Sequence, residues 1–214
     1  MGPEGARVSS RGMGVRLPDR LSDARVRERL AAPTGEWRSE QGLRDAAVLL
    51  VLIAREGVDH VLFNVRRDDL PAHAGQVSFP GGARWGDEDA VACALRETHE
   101  ELGLAASCFD VLARLPDRVS IAGYLVAPFV ARLDRPRACA PDPREVAEVF
   151  EVPLPALLQA ERWRFRPVDH AVARFREVPY FDYDGRTVWG LTGIIARDFV
   201  RAVADFDPGP RRRP

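Results

Sequence analysis

One amphipathic segment, residues 87–102, stands between two groups of short apolar runs, and this order limits the folds open to the chain. Apolar runs at 46–55 and 60–67 precede it, and residues 56–59 between them are predicted to form a hairpin connection. The later strand-like runs are 109–117, 124–133, 145–154 and 173–185, and the last helix is predicted over 189–206. Strands on both sides of a central helix, with a second helix at the end, predict an α/β/α sandwich with a mixed sheet.

The central helix has predicted ends and two predicted faces. Asp87 is expected to cap its N-terminus, and Gly103 stands where a left-handed residue ends a helix. A helix turns by about 100° per residue, which places an apolar stripe on Val91, Leu95, Thr98 and Leu102. The acidic side chains on the other side are Glu97, Glu100 and Glu101.

Three carboxylates at this spacing repel one another, by about 0.2–0.5 kcal/mol per pair on an exposed helix. Arg96 can hold them in place but cannot neutralise all three. Such an oxygen-rich cluster suits Mg²⁺ or Mn²⁺. Helix composition alone favours the alternative of a solvated acidic face, because runs of charge usually have that role.

Composition excludes several classes of protein. All 31 basic residues are arginine, so neither Schiff-base lysine chemistry nor a P-loop lysine is available. The formal net charge is −1, which gives no general attraction to nucleic acid or membrane. Three cysteines without CxxC spacing argue against a disulfide framework and indicate a cytoplasmic protein. No apolar run reaches the roughly 18 residues of a transmembrane helix. We expect a disordered leader over 1–17, one domain over 18–206 and a disordered tail over 207–214.

The spacing of charged and glycine residues resembles the Nudix box. Gly82, Glu88, the Arg96-Glu97 pair, the Glu100-Glu101 pair and Gly103-Leu104 all stand in register, and Thr98 replaces the usual aliphatic residue. The resemblance implies a Nudix-type α/β/α sandwich and a metal-dependent hydrolase of nucleoside diphosphate derivatives. It implies Mg²⁺ or Mn²⁺ as cofactor, with Glu97, Glu100, Glu101 and the Gly81 carbonyl as ligands. It also implies that Arg96 and Glu88 orient the helix and its acids, and that Glu97 and Arg96 belong to the catalytic set.

The preceding segment, LFNVRRDDLPAHAGQVSFPGG at 62–82, resembles the extra motif of the coenzyme A pyrophosphatase branch, LLTxRSxxLxxHxGQxxFPGG. Asn64 stands for the usual Thr and Arg67 for the usual small residue. In that branch the substrate is coenzyme A or a derivative, cut to 4′-phosphopantetheine and 3′,5′-ADP. Guanidinium forks suit phosphate oxygens. The substrate-binding residues implied by the resemblance are Arg66, Arg67, His73, Gln76 and Phe79.

The sequence leaves the general base open among three glutamates. Glu97 can serve if metal does not saturate it. Glu145, the first residue of the strand at 145–154, is our first candidate and Glu148 the alternate, whereas both could merely begin that strand. His99 is expected to point away from the acids.

Three functions compete at this stage. The first is a coenzyme A pyrophosphatase; the second is another Nudix enzyme, acting on NADH, ADP-ribose or a dinucleoside polyphosphate. The third is a non-catalytic Nudix-fold binding module, against which the intact set of acids argues. The expected partner is a small molecule, coenzyme A or an acyl-coenzyme A, with a homodimer as one option. We expect neither a nucleic-acid nor a membrane partner.

Overall fold

The first apolar run forms the central strand of a mixed sheet. The computed structural model describes residues 19–69, 75–135, 138–167 and 177–209. Strand β1 pairs antiparallel with β2 and parallel with β7. Helices and strands, in chain order, are α1 (Asp23–Arg29), β1 (Arg44–Arg55), β2 (Val58–Arg66), β3 (Val77–Ser78), β4 (Gly81–Ala83), α2 (Ala90–Leu102), β5 (Phe109–Arg114), β6 (Arg118–Val119), β7 (Tyr124–Leu133), β8 (Val146–Pro153), α3 (Leu154–Leu157), β9 (Trp163–Pro167), β10 (Glu177–Tyr183), β11 (Arg186–Trp189) and α4 (Gly190–Ala204).

Two sheets and two long helices make the layers. The larger sheet has the order β3-β2-β1-β7-β5, with β4 beside β1, β6 beside β7 and β8 beside β2. The smaller sheet has the order β11-β10-β9. β1 is covered on both faces, which explains its nearly continuous apolar sequence. The predicted α/β/α sandwich with a mixed sheet is confirmed.

Alternate residues of β1 supply two separate cores. Leu49 and Val51 pack with Ala94 of α2 on one face, and Leu50 and Leu52 belong to the core on the other. That second core also contains Phe181 of β10 and Phe199 of α4, with the other residues of the small sheet and the terminal helix. α2 and α4 therefore lie on opposite faces of the large sheet.

The predicted turn between β1 and β2 is shorter than the sequence indicated. The β1–β2 connection is the pair Glu56-Gly57, both at positive φ (49° and 85°), so Val58 and Asp59 belong to β2 and not to the turn. A second turn of this kind, at Asp184-Gly185 between β10 and β11, has φ values of 47° and 75°. Positive φ at both central residues matches the right-handed twist of paired strands.

The segment between β2 and α2 is not an unbroken loop. Its described part carries two short strands, β3 against β2 and β4 against β1. β4 brings Gly81 and Gly82 alongside Val48 and Ala47 of the central strand. This pairing fixes the glycine turn against the sheet, directly before the central helix.

The start of α2 was predicted wrongly, and its end correctly. Asp89, not Asp87, is the N-cap, and its carboxylate accepts the Ala92 N–H at 2.8 Å. The carbonyl of Gly35 accepts the Ala90 N–H at 2.9 Å, so a distant segment helps to set the first helical residue. Gly103 ends the helix at a φ of 69°. Across the part of the chain that the structure describes, no helix is both long and apolar enough to cross a membrane.

Candidate active site

Glu97 and Glu101 of α2 lie next to Gly82 and Gly81 of β4. Compared with the prediction, the helix is rotated about its axis so that this acidic side faces the sheet. The predicted stripe is partly wrong, because Val91 and Leu95 are only half-buried whereas Glu101 is 2% exposed. Small side chains allow the helix to approach the sheet on this side. Its buried residues are Ala90, Cys93, Ala94, Thr98, Glu101 and Leu102. Glu101 therefore lies inside the protein, not on a solvated face.

Arg96 binds three of the four acidic side chains of the motif. Its guanidinium donates to both carboxylate oxygens of Glu88 at 2.9 and 2.8 Å. Its Nη1 lies 2.9 Å from a carboxylate oxygen of Glu97 and 2.9 Å from one of Glu100. The hydrogen bond from Arg96 lowers the pKa of Glu88, and the same pairing raises the pKa of Arg96. Arg96 thus orients these acids, as the resemblance implied.

Glu101 has three contacts with groups other than Arg96. Its Oε2 accepts the Nδ2 amide of Asn64 at 2.8 Å and the backbone N–H of Gly81 at 3.1 Å. Nη1 of Arg66 lies 3.6 Å from Oε1. Burial raises the pKa of Glu101 to about 8, against the opposing effects of the Gly81 N–H and Arg66. The carboxylate is therefore positioned by residues from β2 and β4, far from it in sequence.

Glu145 lies close enough to Glu97 and Glu101 for its charge to affect their ionisation. Burial raises the pKa of Glu97, and hydrogen bonding to Arg96 opposes this. The charge of Glu145 adds to the upward shift at both Glu97 and Glu101. Mutual repulsion of this kind is relieved by a cation placed among the carboxylates. The loop before β8 therefore lies close to the acidic residues of α2.

This donor set fits a hard divalent cation, although it is not preassembled around one point. In the described ranges no three His, Cys, Asp or Glu side chains converge as a ready cluster. Glu97 and Glu100 are turned onto Arg96, so a cation would have to compete for their oxygens. Carboxylate and carbonyl oxygens are the ligands that Mg²⁺ and Mn²⁺ prefer. Glu97, Glu100, Glu101 and the Gly81 carbonyl remain the predicted ligands.

The two candidate bases before and within β8 differ in their surroundings. Glu145 is exposed, and its backbone carbonyl accepts the Arg67 N–H at 3.1 Å, which fixes this residue beside the end of β2. Glu148 is bound by Arg186 of β11. Because the charge of Glu145 raises the pKa of both Glu97 and Glu101, whereas Glu148 is paired with Arg186, Glu145 is the better placed of the two.

Replacing Glu145 by glutamine should lower kcat by about 10²-fold with little change in KM, because a general base acts mainly in the transition state. The variant should also lose the acidic limb of the kcat–pH profile. Glu148→Gln, the competing candidate, should retain most of kcat. Steady-state kinetics at several metal concentrations separates the roles, since a lost metal ligand, unlike a lost base, is partly compensated by more metal. Equal, small effects of both variants would return the role to Glu97.

The residues predicted to bind substrate differ in their surroundings. Arg66 remains available, with 27% of its side chain exposed beside Glu101. Arg67 donates instead to Asp69 at 2.7 and 2.6 Å and to the Pro143 carbonyl at 2.7 Å, so it ties β2 to the loop before β8. Gln76 is half-buried, and its backbone carbonyl accepts the Arg66 N–H at 3.0 Å. His73 lies outside the described residues.

Phe79 is corrected from a substrate contact to a core residue. It is 2% exposed, and its ring stacks on that of Phe63 with 4.9 Å between centroids. Phe63 stacks in turn on Phe150 of β8 at 5.5 Å. Phe79 therefore anchors the glycine turn to the sheet, where a substrate cannot reach it. His99 is exposed, as predicted.

Two site residues acquire roles that the sequence did not reveal. Asn64 appeared only as a departure from a motif, yet it contacts Glu101. Gly82 approaches Glu97 so closely that a Cβ there would lie 2.5 Å from the carboxylate carbon. The motif contained both positions, but only the packing of α2 against β2 and β4 shows what they touch.

Comparison with known proteins decides the family. Residues 43–172 match the NUDIX domain. The chain belongs to the Nudix family. A Photorhabdus laumondii protein named as an uncharacterized Nudix hydrolase, NudL, is 36% identical over 184 residues, covering 86% of this chain and 97% of the relative. The human mitochondrial coenzyme A diphosphatase NUDT8 is 36% identical over 206 residues, covering 91% of this chain and 85% of the relative.

A solved structure agrees at the level of the fold. The MutT/nudix family protein from Enterococcus faecalis superposes with a TM-score of 0.51 at 17% identity, covering 78% of this chain and 65% of that one. This Nudix family member therefore has the fold of its family. Nudix hydrolases generally use divalent metal ions, in agreement with the oxygen-rich site on α2.

Proposed function

We propose that this Nudix hydrolase cleaves the diphosphate of coenzyme A or a derivative, giving 4′-phosphopantetheine and 3′,5′-ADP. The observation that carries the proposal is the segment at 62–82, which matches the coenzyme A motif in register except at Asn64 and Arg67 and directly precedes the acidic helix. The relationship to a human coenzyme A diphosphatase over most of both chains supports it. The second candidate is another nucleoside diphosphate derivative, such as NADH, ADP-ribose or a dinucleoside polyphosphate.

The proposed reaction adds one water across the diphosphate. The water oxygen forms a bond to one phosphorus, the bridging P–O bond breaks, and the bridging oxygen leaves with the other phosphate. A bound divalent ion supplies charge neutralisation on the diphosphate oxygens. Glu145 takes the proton from the attacking water, and Arg66 pairs with phosphate oxygens through its planar fork. Arg96 keeps Glu97 and Glu100 aligned during the reaction.

The test is a substrate panel with Mg²⁺ or Mn²⁺ and product identification by mass. Coenzyme A, an acyl-coenzyme A, NADH, ADP-ribose and diadenosine polyphosphates are compared by kcat/KM. The proposal expects the highest kcat/KM for a coenzyme A compound and the two stated products. A higher kcat/KM for another member of the panel would assign the enzyme to that substrate.

Arg66 gives a sharper test of how the substrate is held. If its exposed guanidinium binds the 3′-phosphate, Arg66→Ala should raise KM for coenzyme A more than for dephospho-coenzyme A. A bond to a charged group contributes about 1.5–3 kcal/mol, so the difference in KM should be about tenfold to 10²-fold. Equal losses on both substrates would place Arg66 on the diphosphate instead. The comparison needs only steady-state kinetics of the two substrates.

A further inference from the structure

Asn64 lies near the C-terminal end of β2 and is 1% exposed. It stands between Ser78 of β3 and Val149 of β8 in the sheet register. Its side chain points to α2, where Nδ2 donates to Oε2 of Glu101 at 2.8 Å in a buried contact. A buried amide at this position is not needed to form the strand, because the neighbouring buried residues of β2 are apolar.

The contact makes the two oxygens of the Glu101 carboxylate unlike each other. Oε2 accepts two hydrogen bonds, one from Asn64 and one from the Gly81 N–H. Oε1 has Arg66 at 3.6 Å, beyond ordinary hydrogen-bond distance. Two donors from different strands, β2 and β4, converge on one oxygen and oppose rotation of the carboxylate. The side chain therefore presents Oε1 in a fixed direction, beside the Arg66 guanidinium and without a hydrogen bond from the described residues.

We propose that Asn64 is a positioning residue for the metal site: it holds Oε2 of Glu101 so that Oε1 is the oxygen offered to the divalent cation. The inference rests on the proposed role of Glu101 as a ligand. Residues that orient a metal ligand commonly change metal affinity by about 10–100-fold when they are replaced. Asn64 would thus act on the cation through Glu101 without touching it.

A second feature of Asn64 argues against a merely structural role. Its Oδ1 is buried with no hydrogen-bond partner among the described residues. An unpaired buried acceptor is unfavourable for folding. Among the described residues, the Nδ2 donor of the amide therefore has a partner in Glu101, whereas its Oδ1 acceptor has none. This pattern is expected of a side chain whose useful contact is the one made to Glu101.

The test measures Mn²⁺ binding without substrate, by titration calorimetry or by the EPR signal of free Mn²⁺. Asn64→Leu keeps the approximate shape and removes the donor, and its Mn²⁺ affinity should fall by about 10–100-fold. Thr98→Val is the matched control. It removes a buried hydroxyl that bonds the Ala94 carbonyl on the same helix, and it should leave the affinity unchanged.

A double-mutant cycle identifies the route of the effect. In a Glu101→Gln background, Asn64→Leu should cause no further loss of Mn²⁺ affinity, because residues that act as a unit are not additive. An additional 10-fold loss there would overturn the proposal. So would a single variant Asn64→Leu with wild-type Mn²⁺ affinity while Glu101→Gln binds weakly.

The cycle also distinguishes a failure of this proposal from a failure of the proposed ligand role of Glu101. Wild-type Mn²⁺ affinity in Glu101→Gln would overturn both the ligand role of Glu101 and the role of Asn64. If Asn64→Leu fails to fold, Asn64→Val decides, since it also removes the donor but with a smaller side chain that suits a strand, and it should bind Mn²⁺ about 10–100-fold more weakly than wild type. Unchanged affinity in that folded variant would reject the positioning role.

Discussion

Glu101→Gln should lower kcat by about 10³-fold or more while the protein stays folded. The substitution keeps the shape of a side chain that is 2% exposed and removes the charge that would bind the cation. A metal ion contributes several kcal/mol to transition-state stabilisation, and each 1.36 kcal/mol corresponds to about tenfold in rate. Burial already raises the pKa of Glu101 to about 8, so a neutral group is well accommodated at this position. Steady-state kinetics and circular dichroism measure the two effects.

Glu161→Gln is the control for this prediction, since it neutralises an exposed carboxylate in the turn before β9. It should leave kcat and the melting temperature unchanged. Added Mn²⁺ should raise the melting temperature of the wild type and of Glu161→Gln more than that of Glu101→Gln, because a ligand stabilises the state that binds it. Near wild-type turnover in Glu101→Gln would remove this residue from the metal site.

Local sequence patterns predicted the elements of this fold well where short-range features of the sequence decide them. The strand expected over 124–133 is β7, Tyr124–Leu133, and the helix ends at Gly103 as predicted. Both results depend on short-range features, an apolar run and a residue able to adopt positive φ. The sandwich followed because strands stand on both sides of one amphipathic helix.

The orientation of the helix was not predictable from the same patterns. Periodicity assigned Glu101 to the polar side because a carboxylate counts as polar wherever it lies. Its burial depends on Gly81 and Asn64, which are 20 and 37 residues away in sequence. Phe79 shows the same limit, because its stacking on Phe63 follows from the pairing of strands and not from the motif around it. A motif identifies which residues matter but not what each one touches.

Gly82→Ala should abolish most of the activity through a single added methyl group. A Cβ at Gly82 would lie 2.5 Å from the Cδ of Glu97, and 2.5 and 2.7 Å from its two oxygens. Those atoms end a flexible side chain, so the expected response is displacement of Glu97 and not collapse of the strand. A displacement of about 1 Å in a reacting site can cost about 10²-fold in rate. Weaker Mn²⁺ binding should accompany the loss, as Glu97 is a predicted ligand.

Gly86→Ala, four residues later, should have the opposite effects: it should lower stability and leave activity unchanged. Gly86 has a φ of 60° and no atom within 4 Å of an added Cβ, so the substitution strains the backbone without a collision. It should reduce the free energy of unfolding by about 1–2 kcal/mol and leave kcat and Mn²⁺ affinity close to wild type. Gly82→Ala should instead keep its melting temperature and lose activity. If Gly82→Ala retained both activity and Mn²⁺ affinity, the close approach of Glu97 to the glycine turn would have no part in metal binding.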